Sequence, residues 1–222
     1  MVQKTKRPVS AAKSAAAAAA PKRRGRPRAY EPEAALGKAL DLFRKGGFSA
    51  TSLDDLSAAT GMNRPSLYGA FGDKRALYIK SYARYRENSR AAMADIFRLE
   101  APIRDRLRRM FAVALDIYLS GAEGPSGCFT VMTAASEAIA DPEIRNFVLE
   151  GLQELDKAFA FCFRTAIENG ELQKTADPKA LAHLASATIH TLAIRARARV
   201  PRKELEAIVQ GAIDVMCAGA PK

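Results

Sequence analysis

Apolar residues return every three to four positions along most of the chain, the period of one face of an α-helix. Leu36, Ala39, Leu40 and Phe43 form the first such stripe over residues 32–45. Gly46 and Gly47 end it, and Phe48 folds back onto it. A narrower stripe of Leu53, Leu56, Ala59 and Met62 follows, then Leu67, Ala70 and Phe71. Residues 74–100 read as one long helix that Pro102 breaks, and residues 103–120 place Leu107, Met110, Phe111, Ala114, Leu115 and Tyr118 inward. A Gly- and Pro-containing loop over 121–127 precedes a short helix over 128–140. Asp141-Pro142 and Asp177-Pro178 each set a capping carboxylate ahead of a proline at the first helical position, opening helices to about residues 169 and 199. Pro201 separates a last helix over 202–217. The pattern predicts an all-α chain of about nine helices. Residues 1–28 form an N-terminal arm, 29–76 a three-helix, homeodomain-like helix-turn-helix domain, and 77–222 a larger helical domain.

The spacing at 51–78 carries helix-turn-helix grammar. Thr51 or Ser52 can cap the first short helix, and Asp54 and Asp55 favour its positive end. Gly61 supplies a left-handed stop, Asn63 caps the second helix, and Pro65 falls in a first turn whose amides lack helical partners anyway. On a wheel of the second helix, Leu67, Ala70 and Phe71 face the core, while Pro65 and Gly69 centre the opposite side. A helix lying in a major groove needs such small residues where its backbone approaches the bases, with donors at the margins. Arg64 and Ser66 are the expected readers, the Tyr68 hydroxyl reaches a phosphate, and Lys74 joins the next helix end behind its cap Asp73. A helical corner whose polar residues merely face water shares this pattern.

The stretch TSLDDLSAATGMNRPSLYGAFGDKRALY resembles the DNA-binding signature of the TetR family of bacterial transcriptional regulators. Thr51, Leu56, Gly61, Leu67, Tyr68, Phe71, Lys74 and Leu77 carry the match, with Ala39, Leu40, Phe43, Gly47 and Phe48 ahead of them. The resemblance covers residues 30–78 and is architectural beyond. It implies a homodimer that binds a near-palindromic double-stranded DNA operator and releases it when a C-terminal domain senses a signal. On that reading Thr51, Ser52, Asn63, Arg64, Pro65, Ser66, Tyr68 and Lys74 face DNA.

Composition changes the picture in two ways. Hydrophobic residues make up 48% of the 222, aromatics only 7%, and no window approaches 18 uninterrupted apolar residues, which argues against a membrane span. Three cysteines far apart form neither a disulfide framework nor a zinc signature, so a reducing cytoplasm is the simplest setting and no cofactor is expected. The net charge of +11 is uneven: residues 1–28 hold nine Lys and Arg and no acid, leaving 26 basic against 24 acidic residues elsewhere. Residues 1–21 have the composition of a segment disordered before binding. Their run of alanines lacks Leu or Phe and exits into Lys22–Arg24, a poor match to a secretory signal. Arg24-Gly25-Arg26-Pro27, followed by Arg28, resembles an AT-hook core. Gly permits close approach, Pro stiffens an extended path, and Arg side chains enter a narrow, strongly negative minor groove. A purely electrostatic arm has the same composition.

The middle helices should enclose the sensory pocket, with Phe97, Phe111, Tyr118, Phe129, Met132, Phe147, Phe159, Phe163 and His190 as lining candidates, each equally suited to ordinary core. His183 and His190 share a helical face, but no acid or cysteine stands at ligand spacing, so no metal site is predicted. Cys128 lies at a predicted helix start, where the dipole favours thiolate. Its segment GCFTVMTAASEA resembles a branch of the family that includes electrophile-sensing repressors, and an inert buried thiol is the plain alternative. Leu184, Thr188 and Leu192, then Leu205, Ile208, Val209 and Ala212, recur at helical spacing. The resemblance implies that these two helices meet their symmetry mates in a four-helix bundle, although such stripes also complete a monomer's own core. The residues thus point to a one-component regulator, a repressor released by a small molecule or thiol-reactive compound. A nucleoid-type or RNA-binding protein driven by the basic tail is the alternative. A helical enzyme has no nucleophile-base, paired-carboxylate or phosphate-loop context behind it.

Overall fold

The computed structural model describes residues 31–121 and 124–218, so the expectations for Arg24, Arg26 and Arg28 lie outside the described residues. Ten helices and no strands occur among the described residues: α1 Pro32–Gly46, α2 Leu53–Thr60, α3 Arg64–Phe71, α4 Lys74–Arg98, α5 Ile103–Leu119, α6 Phe129–Ala135, α7 Glu137–Ala140, α8 Pro142–Glu168, α9 Pro178–Arg197 and α10 Arg202–Met216. None is long and apolar enough to cross a membrane.

Local chemistry accounts for most boundaries. Asn63, Asp73, Asp141 and Asp177 each accept first-turn amides of the helix they precede, satisfying donors that a helix leaves unpaired. The expected single helix over 128–140 is instead two, α6 and α7, which raises the count from nine to ten. The break falls at Ser136 (φ −117, ψ −74), whose hydroxyl bonds back to the Met132 carbonyl at 2.9 Å. A serine hydroxyl competing for the i−4 carbonyl weakens a helix there, a local effect that hydrophobic spacing does not register.

Ala39, Phe43, Leu56, Leu67 and Phe71 are buried together as the core of α1–α3. That core does not close by itself. Tyr78 of α4, 1% exposed, sets its ring edge-on to Phe43 at 5.0 Å, to Phe48 at 5.4 Å and to Phe129 of α6 at 5.2 Å. Its hydroxyl shares a 2.8 Å hydrogen bond with the Thr133 hydroxyl, and burial pushes the phenol up to about 12, so it stays neutral. Charged contacts reinforce the junction: Arg75 of α4 grips Asp141 (2.6 and 3.0 Å) and Glu143 (2.6 Å) at the start of α8, holding the Asp141 carboxyl down to about 2. Beyond it, α8 and α9 pack along their lengths, with α5 and α10 against α9. Ala182, Ala185, Ala193 and Ala196 on the buried face of α9 let those helices approach closely.

Candidate nucleic-acid interface and effector cavity

The reading head is built by caps. Ser52 accepts the Asp55 amide at 3.1 Å while Asp55 accepts the Ser52 amide at 2.8 Å, a reciprocal box that also lowers the Asp55 carboxyl. Gly61 then turns the chain in the left-handed region (φ 72, ψ 14), where a Cβ would be strained. The Asn63 side chain accepts the Ser66 amide at 2.9 Å and starts α3. The outer side of α3 is low, with Pro65, Gly69 and Tyr68 exposed, and nothing in the chain lies within 4 Å of where a Gly69 Cβ would stand. Intramolecular packing therefore does not require glycine at the middle of this helix, where glycine costs about 1 kcal/mol relative to alanine.

The expected DNA-facing residues fall into three groups. Ser52, Asn63, Arg64, Pro65 and Tyr68 are exposed, while Ser66 and Lys74 are half-buried. Arg64 holds Asp54 at 2.7 Å, an exposed pair worth about 0–1 kcal/mol that a phosphate can displace. The Lys74 ammonium sits 4.2 Å from the centroid of the Phe48 ring. Thr51 departs from the expectation: it is 4% exposed, and its hydroxyl donates to the Gly47 carbonyl at 2.7 Å, so the geometry gives it to the turn ahead of α2.

A cavity of about 510 Å³ opens in the body between α4, α5, α8 and α9, reached at one end by Cys128 and Thr130. Of the residues singled out from the sequence, Phe97, Tyr118, Cys128 and His190 line it. Phe111, Phe129, Phe159 and Phe163 are instead fully buried core, and Met132 and Phe147 are half-buried away from its wall. Cys128 is 7% exposed and its Sγ accepts a hydrogen bond from the Tyr85 hydroxyl at 3.4 Å. Burial pushes the Tyr85 and Tyr118 phenols well up, so both remain neutral donors beside the thiol. Arg86 and Arg90 at the wall are already paired with Glu154, at 2.9 and 3.1 Å. Most remaining wall residues are apolar, Met93, Leu152 and Leu155 among them, so the cavity suits a neutral, largely apolar molecule. Tyr85 was not anticipated, although its spacing from Tyr78 and Tyr82 along one face of α4 is a sequence signal for it.

Burial lowers the His190 imidazole below its ordinary value of 6.5. The unfolded chain then binds the proton first, so the stability from neutral His190 is fully present above about pH 6.5 and is lost as pH falls below it. His190→Gln is expected to flatten the decline in melting temperature between about pH 7 and pH 5. An unchanged decline would assign that dependence to other groups.

The stripes expected at a dimer interface divide differently. Leu192 and Leu205 are fully buried in the chain's own core, and Thr188 and Val209 nearly so, a correction to their expected interface role. Helical spacing shows that a stripe is covered but not by which chain. Ile208 and Ala212 are half-buried, while Leu184, Ile194 and Val215 stand exposed on α9 and α10.

A capped helix-turn-helix mounted on a helical body with an internal cavity is the architecture of a one-component DNA-binding regulator. Residues 35–80 match the family of bacterial regulatory proteins, tetR family, and residues 104–212 match the tetracyclin repressor-like C-terminal domain. The chain is 32% identical to the HTH-type transcriptional repressor ComR of Escherichia coli (strain K12), over 79% of this chain and 84% of that one. It is 28% identical to the HTH-type transcriptional regulator YezE of Bacillus subtilis (strain 168), over 86% and 99% of the two chains. Among solved structures, a cysteine mutant of the TetR family regulator CifR, complexed with 26bp double-strand operator DNA, superposes with a TM-score of 0.77 at 28% identity, covering 89% of this chain and all of that one. The protein belongs to the TetR family of transcriptional regulators, and it is a DNA-binding regulator, not an enzyme.

Proposed function

We propose that the protein is a repressor that binds a palindromic operator as a homodimer and is released when a small molecule or a thiol-reactive compound enters the cavity. The observation that carries this reading is the continuity of α4. One helix holds Leu77 and Tyr78 in the core of the reading head and Tyr85, Met93 and Phe97 in the cavity wall. A change of shape at the cavity therefore has a rigid element along which to reach α3. The exposed Leu184, Ile194 and Val215 support a symmetric mate on α9 and α10. The operator-bound CifR structure supports double-stranded DNA as the partner. Arg64, Ser66 and Tyr68 are the readers on this view, with Arg24, Arg26 and Arg28 following the minor groove beside each half-site. An effector acts only through unequal affinity for the bound and released conformations, so occupancy alone would change nothing.

Footprinting on the promoter next to the gene tests the dimer. Two protected half-sites related by two-fold symmetry, about 34–36 Å apart on one DNA face, are expected. A single asymmetric patch would sink it. For the thiol arm, N-ethylmaleimide should release the wild type from that DNA and leave Cys128→Ser bound. Release that survives the substitution removes Cys128 as the sensor.

A further inference from the structure

The last turn of α1 is stitched to the body by two arginines reaching in opposite directions. Arg197, at the end of α9, donates from Nη1 to the Arg44 carbonyl at 3.0 Å and the Ser126 carbonyl at 3.1 Å, and from Nη2 to the Lys45 carbonyl at 2.9 Å. It thus bonds last-turn carbonyls of α1, where the helix end favours a cation. Arg44 reaches back from α1, donating to the Ile117 carbonyl at 2.9 Å and the Gly127 carbonyl at 3.4 Å, with its guanidinium 5.4 Å from the centroid of the Tyr85 ring. Tyr85, Ile117 and Cys128, the neighbour of Gly127, all line the cavity. Arg44 therefore touches the cavity wall from behind, while Arg197 ties the same end of α1 to α9 and to the Ser126 carbonyl.

Three features make this a positioning device and not a general attraction. Every one of these backbone acceptors is a neutral carbonyl, so the bonds depend on close alignment and not on long-range charge. The segment carrying Gly127 is wedged against α9: with φ +67, a Cβ there would meet the Ala193 carbonyl oxygen at 3.0 Å. Arg44 Nε is buried without a partner, which leaves a donor unused in this arrangement and available to another.

We propose that Arg44 and Arg197 are positioning residues for DNA binding, a latch that fixes the angle of the helix-turn-helix on the body. Displacement of Tyr85, Ile117 or Cys128 by a cavity occupant reaches α1 by disturbing that latch. The inference rests on the effector-controlled repressor reading and adds a route alongside α4. It requires no particular ligand, because the cavity can be filled from within by Ala158→Trp, a substitution on its α8 wall.

The test is operator affinity against salt for the full-length wild type, Arg197→Ala, Arg197→Lys, Ala158→Trp and the double variant Ala158→Trp/Arg197→Ala, each checked for helicity and melting temperature. Arg197→Ala should bind about tenfold more weakly at every salt concentration with an unchanged salt slope, since no phosphate contact is lost. Arg197→Lys, which keeps the charge but cannot span three carbonyls, should fall between and also guards against a folding defect in the alanine variant. Ala158→Trp should weaken binding by more than about fivefold with the latch intact and by a clearly smaller factor in the Arg197→Ala background, the remainder travelling along α4. Wild-type affinity for Arg197→Ala, or a slope smaller by about one, overturns the latch, the latter by making Arg197 a phosphate contact. An Ala158→Trp effect that is absent, or equal in both backgrounds, overturns transmission through it. If the wild type itself shows no preference for operator over unrelated DNA, the regulator reading fails instead.

Discussion

Phe129→Ala is expected to lower the free energy of unfolding by about 3–5 kcal/mol and to abolish tight operator binding at the same time. Phe129 is fully buried, and the edges and faces of three tyrosines of α4 surround it: Tyr78 at 5.2 Å, Tyr82 at 5.7 Å and Tyr85 at 5.8 Å between centroids, each pair edge-to-face. Those three rings run from the reading head to the cavity, so the ring of Phe129 supports both ends of the same helix face. Its removal leaves a void that interlocked tyrosines cannot fill, and edge-to-face pairs contribute about 0.5–1.5 kcal/mol each beyond area burial. The Tyr78 and Tyr82 hydroxyls, held by Thr133 at 2.8 Å and Thr130 at 3.3 Å, resist moving into that space. Urea unfolding and a parallel operator titration would measure the two losses. A stability loss below about 1 kcal/mol would mean that the junction repacks and that Phe129 is not its keystone.

Deleting residues 1–28 should have the largest effect on DNA binding with the least effect on the fold. The segment holds nine cations and no acid, whereas the remainder of the chain is nearly balanced. Each phosphate neutralised by Lys or Arg contributes about 0.9 to the slope of log affinity against log salt. If only the five cations of Lys22–Arg28 engage, the slope should shrink by roughly 4 to 5 per subunit, with affinity falling by more than about a hundredfold near physiological salt. The order of preference among operator variants should persist, because on the proposed reading α3, not the arm, reads the bases. Loss of both affinity and preference would mean that the arm, not α3, carries the operator preference.

Much of the reading head was legible in the residues alone because its physics is local. A left-handed turn needs Gly61, orphan amides need Asn63 and Asp73, and the low outer face of α3 follows from Pro65 and Gly69 on its wheel; each requirement spans only a few positions. The long α4 was visible for the same reason, as one unbroken periodic segment. The small exposed face of α3, with Arg64 and Ser66 as its few donors, likewise follows from a wheel of eight residues.

The cavity and the latch were not legible, because their partners are distant along the chain. Cys128 and Tyr118 could be named from the sequence, but Phe111, Phe129 and Phe163 had equal claims, and only packing separated wall from core. Leu192 and Leu205 carried the pattern of an interface and proved to lie within a single chain. Thr51 had the position of a DNA contact and spent its hydroxyl on Gly47. Arg44 and Arg197 had no signal at all, since a guanidinium that binds main-chain carbonyls needs no complementary side chain. What the sequence determined by itself was the helices apart from the α6–α7 break, most of their caps and the helix-turn-helix, all governed by interactions within a few residues. The tertiary structure alone decided which aromatic residues enclose space, which stripe stays uncovered and which arginines join α1 to the body, because burial and carbonyl alignment are properties of segments brought together only by folding.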